Sequence, residues 1–224
     1  ELVRAQRVLG ADLHTLRCGV FAAGMQSGAG ITRDAWNVLA PLKTITAYGM
    51  TEIGANCSLS RQHSSVEQAS ESSGLPCPGY DFRIVDPLTQ TDCSVGTAGE
   101  VWIKTDNIMQ GYYGEPVLTA AAFSKDGWFK SGDMGYLRPD GYFRFLGRYK
   151  DMLKIGGENV DPMEVERYLL THEAVTEAAV VGYADEKLTQ IPVAFVCAAP
   201  GTSTQALIDY CHGRLASFKV PRHI

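Results

Sequence analysis

The chain has 224 residues, 45% hydrophobic and 20% charged, with no low-complexity run, a globular composition with room for one large domain or one and a half ordinary ones. A net charge of −5 and a pI near 5.5 argue against a nucleic-acid-binding surface, which needs clustered Lys and Arg. They leave open a local cationic pocket for a small anionic ligand. The six cysteines are scattered, with no CxxC pair and no zinc-like His spacing, so they read as free thiols of a reducing, cytoplasmic compartment. No apolar run approaches the roughly 18 residues of a membrane span. The N-terminus lacks a signal-peptide core and opens in what reads as the middle of an amphipathic helix, so the chain is expected to be part of a longer protein; an upstream targeting segment stays open.

In chain order, Leu2, Val3, Val8 and Leu9 predict a short helix, and Leu16 to Phe21 a buried strand running into the small-residue turn Ala22-Ala23-Gly24. Thr32 is a candidate N-cap for a helix carrying Trp36, Val38 and Leu39, stopped by Pro41. Lys43 to Ala47 is a β-branched strand delivering the segment Tyr48-Gly49-Met50-Thr51-Glu52. Strand, loop, helix and strand in that order indicate an α/β layer, where ligands gather at the carboxyl ends of strands. Asn56 to Glu71, polar and serine-rich, is expected to be surface loop. Strands at Asp81 to Asp86 and Glu100 to Lys104, with Gly111-Tyr112-Tyr113-Gly114 closing the unit, predict a β-rich subdomain. Asp140-Gly141 marks a hairpin between Tyr136-Leu137 and Tyr142 to Leu146.

After Arg148 the pattern changes to a small α+β module. Asp151 to Ile155 is a short strand broken by Gly156-Gly157, and Asp161-Pro162-Met163-Glu164 opens a helix with Val165 and Leu169 on one face. Strands at Thr176 to Val181 and Val193 to Cys197 follow. A last helix from about Ser203 carries Leu207, Cys211 and Leu215.

Several residues carry candidate chemistry. Thr51 beside Glu52 in a glycine-containing loop suits a phosphate–Mg²⁺ contact, the hydroxyl donating to phosphate and the carboxylate holding a hard cation; the alternative is a helix cap. Asp133, after Gly132, can accept two hydrogen bonds from a vicinal diol, as an acidic residue does for ribose in dinucleotide folds, or can be a turn aspartate. Arg148, Lys150 and Lys154 suit phosphate or ribose oxygens, or form a solvated basic face. Gly156-Gly157 permits close backbone approach to a ligand or simply a tight strand-to-helix connection. The serines lack a nucleophile elbow, and the histidines form no triad pattern.

Five motifs in order resemble the adenylate-forming enzymes: acyl-CoA synthetases, aryl-CoA ligases, luciferases and peptide-synthetase adenylation domains. They are Tyr48–Glu52, Gly99-Glu100 through Gly111-Tyr112, Trp128–Asp133, Gly147–Lys154 and Gly156–Val160, and the likeness covers essentially the whole chain. The Gly-Gly-Glu-Asn form is most similar to medium- or long-chain fatty-acyl-CoA synthetases. The resemblance implies the C-terminal portion of the large AMP-binding domain (1–147) with its β-rich subdomain, a hinge (148–151), and an incomplete small α+β domain (152–224). It implies adenine against Ala22, Ala23 and Gly24, although Met25 stands where the family usually has Pro. It further implies adenine and acyl pockets lined by Thr46, Ala47 and Tyr48, with Gly49 in the same nucleotide-binding loop. Thr51 would contact the α-phosphate, Glu52 would hold Mg²⁺, and Asp133 would bind the ribose with help from Arg148. Lys150 would be the pivot, and Lys154, Gly156 and Gly157 would meet the nucleotide or the pantetheine arm of CoA.

The implied reaction joins a fatty acid to CoA through an acyl-adenylate, consuming ATP. The family's glycine-rich Ser/Thr-Gly-Lys phosphate loop and its late catalytic Lys are not among these residues, so the isolated chain is expected not to complete adenylation. Aryl-acid ligation and an inert nucleotide- or partner-binding relative are the alternatives. Truncation is also expected to expose apolar surface.

Overall fold

The computed structural model describes residues 2–21 and 29–224; the predicted turn Ala22-Ala23-Gly24 and Met25 lie outside them. The chain divides into two compact units, Glu1–Leu146 and Gly147–Ile224. The first opens with α1 (Leu2–Leu9), β1 (Cys18–Phe21), α2 (Ala29–Val38) and β2 (Lys43–Tyr48), then β3 (Ser58–Leu59), α3 (Val66–Ser70) and β4 (Leu75–Pro76). β1 and β2 run parallel, and β3 and β4 extend the sheet antiparallel in the order β1-β2-β3-β4. A second sheet, β5-β6-β7-β8, comprises β5 (Tyr80–Val85), β6 (Gly99–Thr105), β7 (Phe129–Leu137) and β8 (Phe143–Arg148), with α4 (Pro116–Ala121) between β6 and β7.

The two sheets meet in one core. Tyr48, Ile53 and Cys57 from the end of the first pack with Ile84, Val101, Ile103, Phe129 and Phe143 of the second. Phe143 is fully buried, its ring 4.9 Å from that of Tyr48 and 5.3 Å from that of Phe82. This core lies under the carboxyl end of β2, where ligands collect in α/β layers. Farther along, Ala35, Leu39 and Leu42 form a much smaller cluster. α1 buries no residue, and Leu2, Val8, Leu9, Leu16 and Val20 are exposed, so β1 is not the buried strand predicted for Leu16 to Phe21: it pairs with β2 on one side only, and no layer of the described residues covers its outward side chains.

The structure corrects two further readings in this unit. Residues 56–71 are not a surface loop: they include β3 and α3, and Ser58, Ser60, Ser64 and Ser70 are buried. Their hydroxyls are engaged. Ser60 Oγ accepts from the Thr46 N–H at 2.9 Å, Ser58 Oγ donates to the Ser73 carbonyl at 2.6 Å, and Ser64 Oγ bonds Tyr142 Oη at 2.7 Å. A serine-rich stretch enters an interior when every hydroxyl finds a partner. α3 also starts at a capping box, Ser65 with Gln68, a sequence signal that the composition masked. Thr32 does not cap α2; it lies inside the helix and is buried.

The second unit is one four-stranded sheet, β10-β9-β12-β11, with two helices. β9 (Leu153–Ile155) and β10 (Glu158–Val160) form a tight hairpin, so Gly156-Gly157 joins strand to strand, not strand to helix. α5 (Pro162–Leu169) begins as predicted. The Asp161 carboxylate accepts from the Met163 N–H at 2.9 Å, Pro162 takes the first position, and Val165 and Leu169 are fully buried. The Glu164 carboxylate does not close the capping box; both its oxygens accept from Lys219 Nζ, at 2.9 and 2.7 Å. β11 (Val175–Asp185) and β12 (Thr189–Ala198) form one long hairpin, where the sequence predicts two short strands. The Asp185 carboxylate accepts from the Lys187 and Leu188 N–H groups and shapes its turn. α6 (Thr204–Cys211) is capped by Ser203 and ends before Leu215, which still packs on the core after the turn at Gly213.

Asp161 gives this unit a pH dependence. Burial pushes its carboxyl up from 3.8 to about 6, against the Met163 N–H and the Arg167 guanidinium, while Glu164 and Glu166 add to the rise. The native state therefore holds this proton more tightly than the unfolded chain. The resulting penalty is absent below about pH 4, grows as pH rises, and is complete above about pH 6, at up to about 3 kcal/mol. Asp161→Asn keeps an oxygen for the cap. It is expected to raise the melting temperature at pH 7 and to flatten the fall in stability between pH 4 and 6. Unchanged pH-melting curves would contradict this.

Candidate nucleotide-binding site

β2 alternates strictly: Thr44, Thr46 and Tyr48 face the interior, and Lys43, Ile45 and Ala47 the half-buried side. Thr46 is 2% exposed, so it and Tyr48 lie on the opposite face of the strand from Ala47. The Tyr48 ring stands among Phe82, Phe143 and Phe145, making it a core ring with a polar tip. Beyond it the chain closes a small loop. Ile53 N–H and Ala55 N–H donate to the Met50 carbonyl, Gly54 N–H to Thr51, and Cys57 N–H to Tyr48. Gly49 is required here: a Cβ on it would sit 1.5 Å from the Ala55 carbonyl oxygen. The loop lifts Thr51 into solvent and leaves Glu52 half-exposed, in a single 3₁₀ turn anchored by the fully buried Ile53. Of the two readings of Thr51-Glu52, the helix cap does not apply, because neither residue starts an α-helix.

The second sheet grips this loop. Tyr80 Oη donates to the Ile53 carbonyl at 3.0 Å, Asn107 Nδ2 donates to Tyr80 Oη at 3.3 Å, and Met109 N–H donates to the Glu52 carbonyl at 2.7 Å. Tyr112 Oη donates to Glu52 Oε1 at 3.2 Å. In the sequence Tyr112 stands out only as a motif position, and Tyr80, Asn107 and Met109 carry no signal of their own. They lie far along the chain, and no local spacing marks them.

Asp133 is not a turn residue. It lies inside β7, where the pairing with β6 shifts register between Glu100 and Trp102. Such bulges re-aim side chains beside functional sites. Gly132 takes the left-handed conformation (φ +70°), and its N–H donates to Glu100 Oε1 at 3.2 Å. Ser131 Oγ donates to the Val101 carbonyl at 2.6 Å and accepts from the Asp133 N–H at 3.1 Å. The Asp133 carboxylate is buried and accepts from Tyr48 Oη at 2.8 Å. Burial first, then the Asp133 charge, holds the Tyr48 phenol well above its ordinary range, so it stays a donor at every physiological pH. This bond joins the end of β2 to β7, bringing the Thr51-Glu52 loop and Asp133 onto one core.

The second unit carries the other predicted residues in one short stretch. Arg148, exposed, ends β8, and Lys150, exposed, lies in the single 3₁₀ turn Tyr149–Asp151. Lys154 projects from β9, bonds Asn159 Oδ1 and rests over the Tyr149 ring at 4.9 Å. Gly156 and Gly157 form the exposed hairpin tip with φ of +60° and +89°. Bare backbone at such a tip can approach a ligand closely.

No group of three His, Cys, Asp or Glu side chains that could hold a metal occurs among the described residues. A single half-exposed carboxylate, Glu52, does fit Mg²⁺ that arrives on a nucleotide, because that ion typically takes one or two carboxylates together with phosphates. When bound, the ion neutralises phosphate charge; Glu52 is the residue that would hold it.

The AMP-binding enzyme model matches residues 2–113, and the AMP-binding enzyme C-terminal domain model matches residues 164–224. The chain is 34% identical over 215 residues to the medium-chain acyl-CoA ligase ACSF2 of Bos taurus, covering 95% of this chain and 35% of that protein. It is 36% identical over 181 residues to the 2-succinylbenzoate–CoA ligase of Bacillus licheniformis, covering 81% of this chain and 37% of that one. In structure it matches the o-succinylbenzoate CoA synthetase MenE of Bacillus subtilis, solved with ATP and magnesium, with a TM-score of 0.86 and 30% identity over 99% of this chain and 45% of that chain. It thus spans less than half the length of these relatives. With both models matched in order along one mixed α/β chain, the protein belongs to the AMP-binding, adenylate-forming enzyme family.

Proposed function

We propose that this chain is the nucleotide-handling portion of an AMP-forming acid–thiol ligase. A carboxylate attacks the α-phosphorus of ATP and expels pyrophosphate. The CoA thiol then attacks the acyl carbon, releasing AMP and a proton. The observation that carries the reading is the Tyr48–Asp133 bond, which holds the Thr51-Glu52 loop and the Asp133 carboxylate on one core. Thr51 would donate to an α-phosphate oxygen, where negative charge accumulates, and the Asp133 carboxylate would accept from the ribose hydroxyls. Arg148 would assist at the ribose. Lys154 with Gly156 and Gly157 would meet the nucleotide or the pantetheine arm, and Lys150 would be the pivot between the two half-reactions.

A medium-chain fatty acid is the substrate class we favour, on the similarity to ACSF2. The similarity to a 2-succinylbenzoate–CoA ligase supports an aryl acid as the second reading. Comparing octanoate with 2-succinylbenzoate as substrates of the intact polypeptide that carries this chain separates the two.

The activity is testable in a chimera in which this chain replaces the matching segment of the B. subtilis synthetase. The chimera is expected to form thioester only with both ATP and CoA, whereas the isolated chain forms none. Lys150→Pro, which fixes φ at the pivot, is expected to slow thioester formation more than pyrophosphate exchange. A folded, soluble chimera that neither exchanges pyrophosphate nor consumes ATP would overturn the proposal.

A further inference from the structure

We propose that Tyr112 is a positioning residue for Glu52: its phenol holds one carboxylate oxygen so that the other faces the nucleotide-bound divalent cation. The inference rests on the reading that Glu52 holds that cation. Two separate contacts tie the segment before α4 to the Glu52 turn. The Met109 N–H donates to the Glu52 carbonyl at 2.7 Å, fixing the backbone, and Tyr112 Oη donates to Oε1 at 3.2 Å, fixing the side chain.

Tyr112 is itself held from behind. Its N–H donates to Thr119 Oγ1 at 2.9 Å, and that hydroxyl donates on to the Glu115 carbonyl at 2.9 Å. Gly111, at φ +153°, lets the chain pass against Thr119; a Cβ there would lie 2.8 Å from Thr119 Cγ2. Helix α4 therefore fixes Tyr112, and Tyr112 fixes Glu52. Its neighbour Tyr113 is fully exposed and provides an internal control.

The chemistry favours this division of labour. A glutamate has three side-chain torsions, and restricting them on binding costs conformational entropy that a preset orientation has already met. A carboxylate has two oxygens with about four lone-pair sites, so one donor on Oε1 leaves Oε2 open to a hard cation. Partners that orient a ligating carboxylate typically contribute about 10- to 100-fold in metal affinity.

The test uses the 224-residue chain with Mn²⁺ as probe, its free signal read by electron paramagnetic resonance in the presence of ATP. Metal-free AMP binding and thermal melting are measured in parallel. Tyr112→Phe is expected to weaken Mn²⁺ retention about 10-fold while AMP affinity and melting temperature stay at wild-type values. Tyr113→Phe is expected to change none of the three. A purely structural role would move melting or AMP binding together with Mn²⁺, and that result overturns the proposal. Equal Mn²⁺ retention by wild type and Tyr112→Phe overturns it while leaving the role of Glu52 intact. Retention unchanged in Glu52→Gln removes the reading of Glu52 as cation holder, and the inference with it. The same holds if the wild-type chain retains no Mn²⁺ with ATP.

Discussion

Gly49→Ala is expected to lower the melting temperature by roughly 6–12 °C, on a destabilisation of about 3 kcal/mol. The added methyl would fall 1.5 Å from the Ala55 carbonyl oxygen, 2.5 Å from its carbon and 2.7 Å from the Asn56 Cα. All three are backbone atoms, so no rotamer change relieves the overlap. The loop has little freedom to retreat, because its turn bonds and the Tyr80 and Met109 contacts close it from both sides. Ala55 already holds a left-handed φ of +83°, a conformation that costs a non-glycine residue about 1 kcal/mol or more. The same substitution at Gly157, where nothing lies within 4 Å, carries only the left-handed penalty and serves as the comparison. If Gly49→Ala melts within 2 °C of wild type, the loop does not close on Gly49 as described, and the placement of Thr51 and Glu52 falls with it.

Asp133→Ala is expected to reduce pyrophosphate exchange in the chimera by about 10²-fold or more. Hydrogen bonds to a charged group contribute about 1.5–3 kcal/mol each, and two ribose hydroxyls would lose their acceptor together. The substitution also strands the buried Tyr48 hydroxyl, which now donates to Oδ2 at 2.8 Å; an unsatisfied buried donor costs about 1–3 kcal/mol. The two effects separate in a double variant. Adding Tyr48→Phe to Asp133→Ala removes the stranded donor and is expected to restore part of the melting temperature without restoring exchange. Exchange within threefold of wild type in Asp133→Ala would end the assignment of Asp133 to the ribose.

The sequence reading succeeded where the signal was local. Asp161, Pro162 and the buried pair Val165 and Leu169 marked α5 within a single turn and its neighbours, and Asp140-Gly141 marked the β7–β8 turn, where the Gly141 N–H donates to the Arg138 carbonyl at 2.9 Å. It failed where composition stood in for partners. Serines 58, 60, 64 and 70 are polar by composition and buried by contact. Pro192 and the polar run after Tyr183 concealed the length of the β11–β12 hairpin, although Pro192 needs only its carbonyl there, accepting from the Arg222 N–H at 2.8 Å.

By itself the sequence determined the order of the motifs, the starts of α5 and α6, the Asp140-Gly141 turn and the family, because each depends on side chains a few residues apart or on their succession along the chain. The tertiary structure decided which of those residues act together. Tyr48 meets Asp133 across 85 positions and Tyr112 meets Glu52 across 60, separations over which sequence carries no periodic trace. It also decided how Asp133 is presented. A register shift between two paired strands, invisible in either strand alone, places a carboxylate that reads as a turn residue inside the sheet, within reach of the Tyr48 phenol.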